Sequence, residues 1–372
     1  MDCLGLVPSN TPPMFKINSS ALFLWGKLLA LTCLLALVAC GMERHGPDIL
    51  LQGAGATFPY PLYSKWISEF GKQQPHIRID YQSIGSGGGI KQLIERTVDF
   101  GATDVPMTDE QLRAAGAEIL HIPMVIGPVI VIYNLAGAPS GLKLVPDVLS
   151  GIFLGEITKW GDPGLVSLNP DLTLPDSNIV VVHRFDGSGT TAIFADYLSK
   201  VSDHWASRVG RGASVNWPVG LGGEGNEGVA GLVKQSPGTI GYAEIAYSEQ
   251  NQLSYGYIRN RSGEFVRPSI ESVTAAADRA SDRQPDDLRW SITDAEGKDS
   301  YPISGFTYIL VIRDQPDLKK GRALAEFLWW VLHEGVRFIE PLSYAPLPPA
   351  VVMKTEAKLK SITHQGVPLL PE

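Results

Sequence analysis

Runs of β-branched residues alternate along this chain with segments of helical periodicity, and this alternation constrains the fold more than any other feature. Residues 76–84 alternate apolar and polar side chains, whereas residues 124–134, 178–183 and 308–312 are nearly continuous apolar runs. Buried strands that alternate with helices are typical of sheets covered by helices on both faces. The sequence therefore predicts an α/β fold with mainly parallel sheet.

The composition indicates a globular protein and excludes several function classes. Hydrophobic residues make up 44% of the 372 residues, which is enough for two domains of ordinary size. Lys and Arg total 31 against 39 Asp and Glu, and the net charge of −8 argues against nucleic acid as a partner. The cysteines are Cys3, Cys33 and Cys40, so the rest of the chain has no thiol for a disulfide, a zinc cage or a nucleophile. We expect no cofactor and no metal site.

The first 39 residues predict a lipoprotein signal peptide. The apolar run at residues 28–39 ends in a small residue directly before Cys40. It is shorter than a membrane-spanning helix, which needs roughly 17–25 apolar residues. The sequence LVAC at residues 37–40 resembles a bacterial lipobox, which implies a lipid anchor on Cys40, a lipid-anchored linker at residues 40–50 and a location in the cell envelope. A plain signal peptide without lipidation stays open.

Three predicted helices begin with glycine and hydroxyl residues. The segments GAGATFP at 53–59, GSGGG at 85–89 and DGSGTT at 186–191 each precede apolar residues at helical spacing. A helix amino terminus carries unpaired N–H groups and partial positive charge, so it attracts anions. A single hydroxyl residue there is more simply an ordinary N-cap. Three such helix starts in one chain favour a shared oxyanion site.

Two charged positions indicate which anion could bind. Asp104 follows a strand-like stretch, where a carboxylate would repel a fully ionised anion but accept a hydrogen bond from one that keeps a proton. Phosphate keeps a proton at neutral pH and sulfate does not, so Asp104 would select against sulfate. Arg184 would give charge-assisted hydrogen bonds to an oxyanion, with Asp186 orienting it. A turn or cap role for Asp104, and a surface ion pair for Arg184 and Asp186, stay open at this point.

Five sequence blocks together resemble the phosphate-binding proteins of bacterial high-affinity phosphate ABC transporters. They are GAGATFP at 53–59, IGSGGGIKQ at 84–92, VDFGATDVP at 98–106, RFDGSGTT at 184–191 and NWPVGLGGEGNEG at 216–228, in the family's order and spacing. The resemblance implies phosphate contacts from Thr57, the Phe58 amide, Ser86, Asp104, Arg184, Ser188, Gly189 and Thr190, with Asp186 as the partner of the arginine. Small departures occur at Gly87, where some relatives have a second serine, and at Thr103, where relatives often have serine.

The same resemblance implies a fold and a role. The fold would be the two-lobed periplasmic binding protein fold of type II, each lobe a mixed, mainly parallel sheet flanked by helices, with the ligand in the cleft. Lobe 1 would comprise residues 51–127 and 306–372, and lobe 2 residues 128–305. The protein would be a monomer without enzymatic activity that binds inorganic phosphate in the periplasm and delivers it to the permease subunits of the transporter.

Three other functions compete with this one. A secreted phosphatase or serine hydrolase is disfavoured because neither Ser86 nor Ser188 lies in a G-x-S-x-G motif and no HExxH or Cys-His zinc spacing occurs. A nucleotide-binding role for the G-x-G-x-x-G match at 220–225 is weak, since no strand is predicted before it and we expect a glycine-rich loop. A binder of sulfate or molybdate stays possible, with Asp104 as the discriminating residue. His121 and His183 are expected to be structural.

Overall fold

The computed structural model describes residues 49–281 and 284–371. The predicted signal peptide at 1–39, Cys40 and most of the 40–50 linker lie outside the described residues. The described residues all belong to one compact unit. None of their helices is long and apolar enough to cross a membrane.

Strands and helices alternate along the chain, as the sequence predicts. The strands are β1 Ile49–Gly55, β2 Ile77–Ser83, β3 Phe100–Thr103, β4 Ile119–Asn134, β5 Leu142–Leu144, β6 Val180–Arg184, β7 Leu221–Gly223, β8 Thr239–Glu244, β9 Ser254–Arg259, β10 Phe265–Val266, β11 Ser304–Ile312, β12 Thr363–His364 and β13 Val367–Pro368. The helices are α1 Tyr60–Gln73, α2 Ser86–Ile94, α3 Asp109–Ala115, α4 Pro146–Leu154, α5 Pro163–Leu168, α6 Gly189–Val201, α7 Asp203–Arg208, α8 Gly225–Gln235, α9 Ile245–Asn251, α10 Ile270–Ser281, α11 Leu318–His333 and α12 Pro349–Lys360. Two 3-10 helices follow α11, at Gly335–Phe338 and Glu340–Leu342.

The main sheet has two parts that meet along β4. Its strand order is β2-β1-β3-β11-β4-β8-β6-β7, with β9 pairing the second half of β4 and holding β5 and β10. From Ile119 to Pro128, β4 pairs with β11; from Val129 to Asn134, it pairs with β8. We call β1, β2, β3 and β11 the first part of the sheet, and β6, β7, β8 and β9 the second part.

The sheet is mixed, as expected, but its parallel share is smaller than the sequence predicts. Among the described strands of this sheet, five pairings are parallel and five antiparallel. The antiparallel pairings arise because β11 returns between β3 and β4, and because β4 runs against β8 and β9. Long-range pairing of this kind leaves no signal in a local apolar pattern.

Both strands that link the two parts begin earlier than the apolar pattern predicts. β4 begins at Ile119 rather than near residue 124, because the polar His121 and Pro123 interrupt the pattern although both are buried. His121 is satisfied by accepting the Met107 N–H at Nε2, 3.0 Å away, which confirms its structural role. The pairing of β4 with β11 slips by one residue between Thr307 and Tyr308, where Pro123 removes a ladder donor.

Candidate functional site

Three helix amino termini meet at the junction of the two parts of the sheet. They are the starts of α1 after Phe58, of α2 at Ser86 and of α6 at Gly189, as the sequence predicts. The Gly189 N–H, on the helix that follows β6 of the second part, donates to Ser86 Oγ, on the helix that follows β2 of the first part, 3.1 Å away. The Gly87 N–H likewise donates to the Gly187 carbonyl, 2.8 Å away. The N–H groups of two helix starts therefore point across one narrow gap.

The gap is so tight that position 189 tolerates only glycine. A Cβ on Gly189 would lie 2.4 Å from Ser86 Oγ and 2.5 Å from Asp104 Oδ2, far inside contact distance. The residue before it, Ser188, is fully buried and accepts the Thr191 N–H at 3.0 Å, so it also caps α6 in the ordinary way. The glycine thus serves close approach, and the serine holds the helix start in place.

A buried hydroxyl cluster lies at the end of β1. Thr57 Oγ1 accepts hydrogen bonds from Asn226 Nδ2 at 2.7 Å, from the Asn226 N–H at 3.2 Å and from Arg184 Nη1 at 3.3 Å. Asn226 Nδ2 also lies 3.0 Å from Thr190 Oγ1. Thr57 and Thr190 are almost completely buried. One asparagine therefore fixes hydroxyls that come from both parts of the sheet.

Arg184, which is buried, and Asp186, which is partly buried, form a pair with two hydrogen bonds. Arg184 Nε donates to Asp186 Oδ1 at 2.6 Å, and Nη2 donates to Oδ2. The Arg184 side chain is 1% exposed, so the alternative of a surface ion pair is wrong. Asp186 Oδ1 also accepts the Gly225 N–H at 3.2 Å, which ties the pair to the start of α8. The pair holds the guanidinium in one orientation, with Nη1 turned toward Thr57.

Asp104 lies opposite this pair and is buried without a cationic hydrogen-bond partner. Its Oδ2 accepts the Ser86 hydroxyl at 3.4 Å, whereas Oδ1 has no hydrogen-bond partner among the described residues. Burial raises the pKa of Asp104 to about 7, against the opposing effects of the Thr307 hydroxyl, the Arg184 charge and the Ser86 hydroxyl. Asp104 caps no helix, since Thr108 caps α3, so the cap alternative is wrong.

Asn226 is a site residue that the sequence reasoning missed. It lies in the block at 216–228 that carries part of the resemblance, but no local pattern assigned it a role. No strand directly precedes the glycine-rich segment at 220–225, as expected, but the expectation of a loop is wrong, because β7 at 221–223 lies within the segment and leads into α8. β7 has only three residues, which is too short for an apolar pattern to predict it. The segment supports the site through Gly225 and Asn226.

No group of three or more potential metal ligands occurs among residues 49–281 and 284–371. His183 stacks on Trp217, with ring centroids 4.8 Å apart, and its Nδ1 lies 3.0 Å from the Arg184 carbonyl. Its neighbours are therefore those of a structural histidine.

The sheet has two parts joined by long strands, and buried N–H and O–H donors that suit an anion lie at their junction. This arrangement defines a two-lobed substrate-binding protein. A sequence profile described as a PBP superfamily domain matches residues 43–334. The chain belongs to the PstS family of phosphate-binding proteins, which are binding proteins and not enzymes.

Two relatives illustrate how close this membership is. The phosphate-binding protein PstS of Xylella fastidiosa is 44% identical over 311 residues, 83% of this chain and 85% of that protein. The PstS of Pasteurella multocida is 45% identical over 314 residues, 84% of this chain and 90% of that protein. Among solved structures, the phosphate-binding protein of Stenotrophomonas maltophilia has a TM-score of 0.64 at 18% identity, covering 86% of this chain and 96% of that one. This last similarity concerns the fold.

Proposed function

We propose that this protein binds inorganic phosphate between its two lobes and delivers it to the permease subunits of a phosphate ABC transporter. The observation that carries the proposal is the unpartnered carboxylate oxygen of Asp104, which is buried beside the starts of α2 and α6 and within reach of the Arg184 charge. Donors on all other sides suit an oxyanion, and a single acceptor suits one that still carries a proton. Family membership supports the same substrate.

Each side chain has a distinct part in this proposal. The donors to the anion are the Thr57 hydroxyl, the Phe58 amide, the Ser86 and Ser188 hydroxyls, the Gly189 amide, the Thr190 hydroxyl and the Arg184 guanidinium. Asp104 accepts the proton of the anion, and Asp186 orients Arg184. Because the chain as a whole carries a net charge of −8, affinity must come from these local donors and not from long-range attraction.

The proposed lobes are residues 51–127 with 306–372, and residues 128–305. The change of partner along β4, from β11 at Pro128 to β8 at Val129, supports this boundary. Thr57, Ser86 and Asp104 then belong to lobe 1, and residues 184–190 to lobe 2. Binding links the lobes, and closure completes the site.

We further propose that Cys40 carries a lipid anchor that holds a monomeric protein at the membrane, facing the periplasm. The support is the lipobox-like sequence at residues 37–40, and two or more acyl chains give stable anchoring. Cys40→Ser should move the exported protein from the membrane fraction to the soluble fraction. If the variant stayed in the membrane fraction, the lipid anchor would be wrong.

Calorimetry of the purified protein with phosphate, sulfate, arsenate and a phosphomonoester tests the function. We expect tight binding of phosphate and weak binding of sulfate, with no release of phosphate from the monoester. Tighter binding of sulfate than of phosphate would favour the alternative oxyanion, and turnover of the monoester would favour a phosphatase.

A further inference from the structure

Two tyrosines hold the backbone carbonyls of the Thr57–Phe58 segment. The Tyr247 hydroxyl donates to the Thr57 carbonyl at 2.5 Å, and the Tyr344 hydroxyl lies 2.8 Å from the Phe58 carbonyl. Both tyrosines are buried. Neither was a candidate from the sequence, yet both contact the segment that supplies the proposed amide donor.

The Thr57 carbonyl accepts hydrogen bonds from the Tyr247 hydroxyl and, at 3.2 Å, from the Tyr60 N–H, and together these contacts determine where the Phe58 N–H points. The Thr57 carbonyl and the Phe58 N–H belong to the same planar peptide, and in a trans peptide these two groups point in opposite directions. No peptide bond in the described chain is cis. The Phe58 N–H donates to no protein acceptor among the described residues, so it is free for a ligand. Fixing the carbonyl toward Tyr247 therefore turns the free N–H away from Tyr247.

Tyr247 reaches Thr57 from the other lobe of the proposed division. It lies on α9, whose first turn is capped by Glu244: the carboxyl Oε2 accepts the Ala246 N–H at 2.9 Å. Glu244 is itself buried, and burial raises its pKa well above the ordinary value. The Glu244 N–H donates to Asn226 Oδ1 at 3.0 Å. The elements that position Tyr247 and Asn226 are thus tied together in lobe 2.

A second acceptor is near the Tyr247 hydroxyl. Glu227 Oε1 lies 3.1 Å away, compared with 2.5 Å for the Thr57 carbonyl. A phenol has a single proton to donate. The shorter distance assigns that proton to the Thr57 carbonyl.

We propose that Tyr247 is a positioning residue that orients the Phe58 amide toward the anion as the lobes close. The inference rests on the proposed function and deepens it. Because the contact joins the two lobes, it contributes to the closed, liganded form and adds nothing within either lobe alone. Tyr247→Phe should therefore weaken phosphate binding without weakening the folded lobes.

Tyr81 offers a matched control. Its hydroxyl donates to the Ala56 carbonyl at 2.7 Å, so it holds the adjacent residue of the same segment, but both partners lie in lobe 1. Tyr81→Phe removes the same kind of hydrogen bond within a single lobe. The two variants separate an effect on closure from a general loosening of the segment.

The experiment measures phosphate affinity by calorimetry, phosphate release by stopped flow and the melting temperature without phosphate, for the wild type and both variants. We expect Tyr247→Phe to bind inorganic phosphate about tenfold more weakly, mainly through faster release, with little change in melting temperature. We expect Tyr81→Phe to stay within about twofold of the wild-type affinity and to lower the melting temperature.

An affinity of Tyr247→Phe within twofold of wild type, or an equal loss in Tyr81→Phe, would overturn the inference while leaving phosphate binding intact. A wild type that binds no phosphate would instead contradict the proposed function itself. If Tyr247→Phe does not fold, NMR of the wild type with ¹³Cζ-labelled tyrosine decides the question. Phosphate should shift the Tyr247 resonance more than the Tyr81 resonance, and an unmoved Tyr247 resonance would overturn the inference.

Discussion

Each end of the site contains an aspartate, buried in the case of Asp104 and partly buried in the case of Asp186, and the two differ in their hydrogen-bond partners. Asp186 accepts two hydrogen bonds from Arg184 and one from the Gly225 N–H. Within hydrogen-bond distance, Asp104 accepts only the Ser86 hydroxyl and has one oxygen without a partner among the described residues, although the Thr307 hydroxyl is near enough to lower its pKa. The first carboxylate is committed to orienting a cation, whereas the second is left available to a ligand. The same residue type thus serves affinity at one end and selectivity at the other.

The largest expected effect comes from breaking the paired end. Arg184→Ala removes a formal charge and a rigid donor, and hydrogen bonds to charged groups are worth roughly 1.5–3 kcal/mol each. We expect phosphate affinity to fall at least about 100-fold in calorimetry. Arg184→Lys keeps the charge but loses the planar guanidinium, so its phosphate affinity should lie between those of Arg184→Ala and the wild type. If Arg184→Ala lost less than tenfold, the paired end would not supply the main affinity.

The next effect is a pH dependence of stability that belongs to the unpaired end. The pKa of Asp104 is raised to about 7 in the folded chain, compared with about 4 for an unfolded aspartate. Between these values the folded chain holds a proton that the unfolded chain has lost, so this contribution to stability falls as the pH rises. Without phosphate, the free energy of unfolding should drop between pH 4 and 7 by roughly 3 kcal/mol more in the wild type than in Asp104→Asn.

Denaturant unfolding at several pH values measures this difference. Other buried acids, Glu244 among them, contribute equally to both proteins, so the comparison isolates Asp104. Parallel pH profiles for the wild type and Asp104→Asn would show that the pKa of Asp104 is not raised in the folded chain.

The smallest expected effect concerns the choice of anion and separates the two aspartates. Asp104→Asn replaces an obligate acceptor by a group that can also donate. The affinity for sulfate relative to that for phosphate should therefore rise about tenfold or more in competition binding. Asp186→Asn weakens the hold on Arg184 and should reduce the affinity for both anions, leaving their ratio nearly unchanged. If both variants changed the ratio equally, the division of roles between the two ends would be wrong.

Much of this site could be predicted from the sequence because its parts are local. The helix starts after residues 59, 85 and 188 are marked by glycine and hydroxyl residues within a few positions of one another. Arg184 and Asp186 are two residues apart, so their pairing requires no long-range contact. The combination of these blocks also carries the family resemblance, which the relatives confirm.

The remaining features depend on contacts between distant segments. Asn226 lies 169 residues from Thr57, and Tyr247 lies 190 residues from it, so no local pattern links them. The early start of β4 has no local signal for the same reason, because only the finished sheet buries His121.

The sequence by itself determined the α/β alternation, the three helix starts and the charged residues of the site. The tertiary structure decided what those residues do: burial raised the pKa of Asp104, and a close approach at Gly189 brought two helix starts together. The physical reason is that helix starts and strand patterns follow from neighbouring residues. Desolvation and pairing follow from whatever the rest of the chain packs against them.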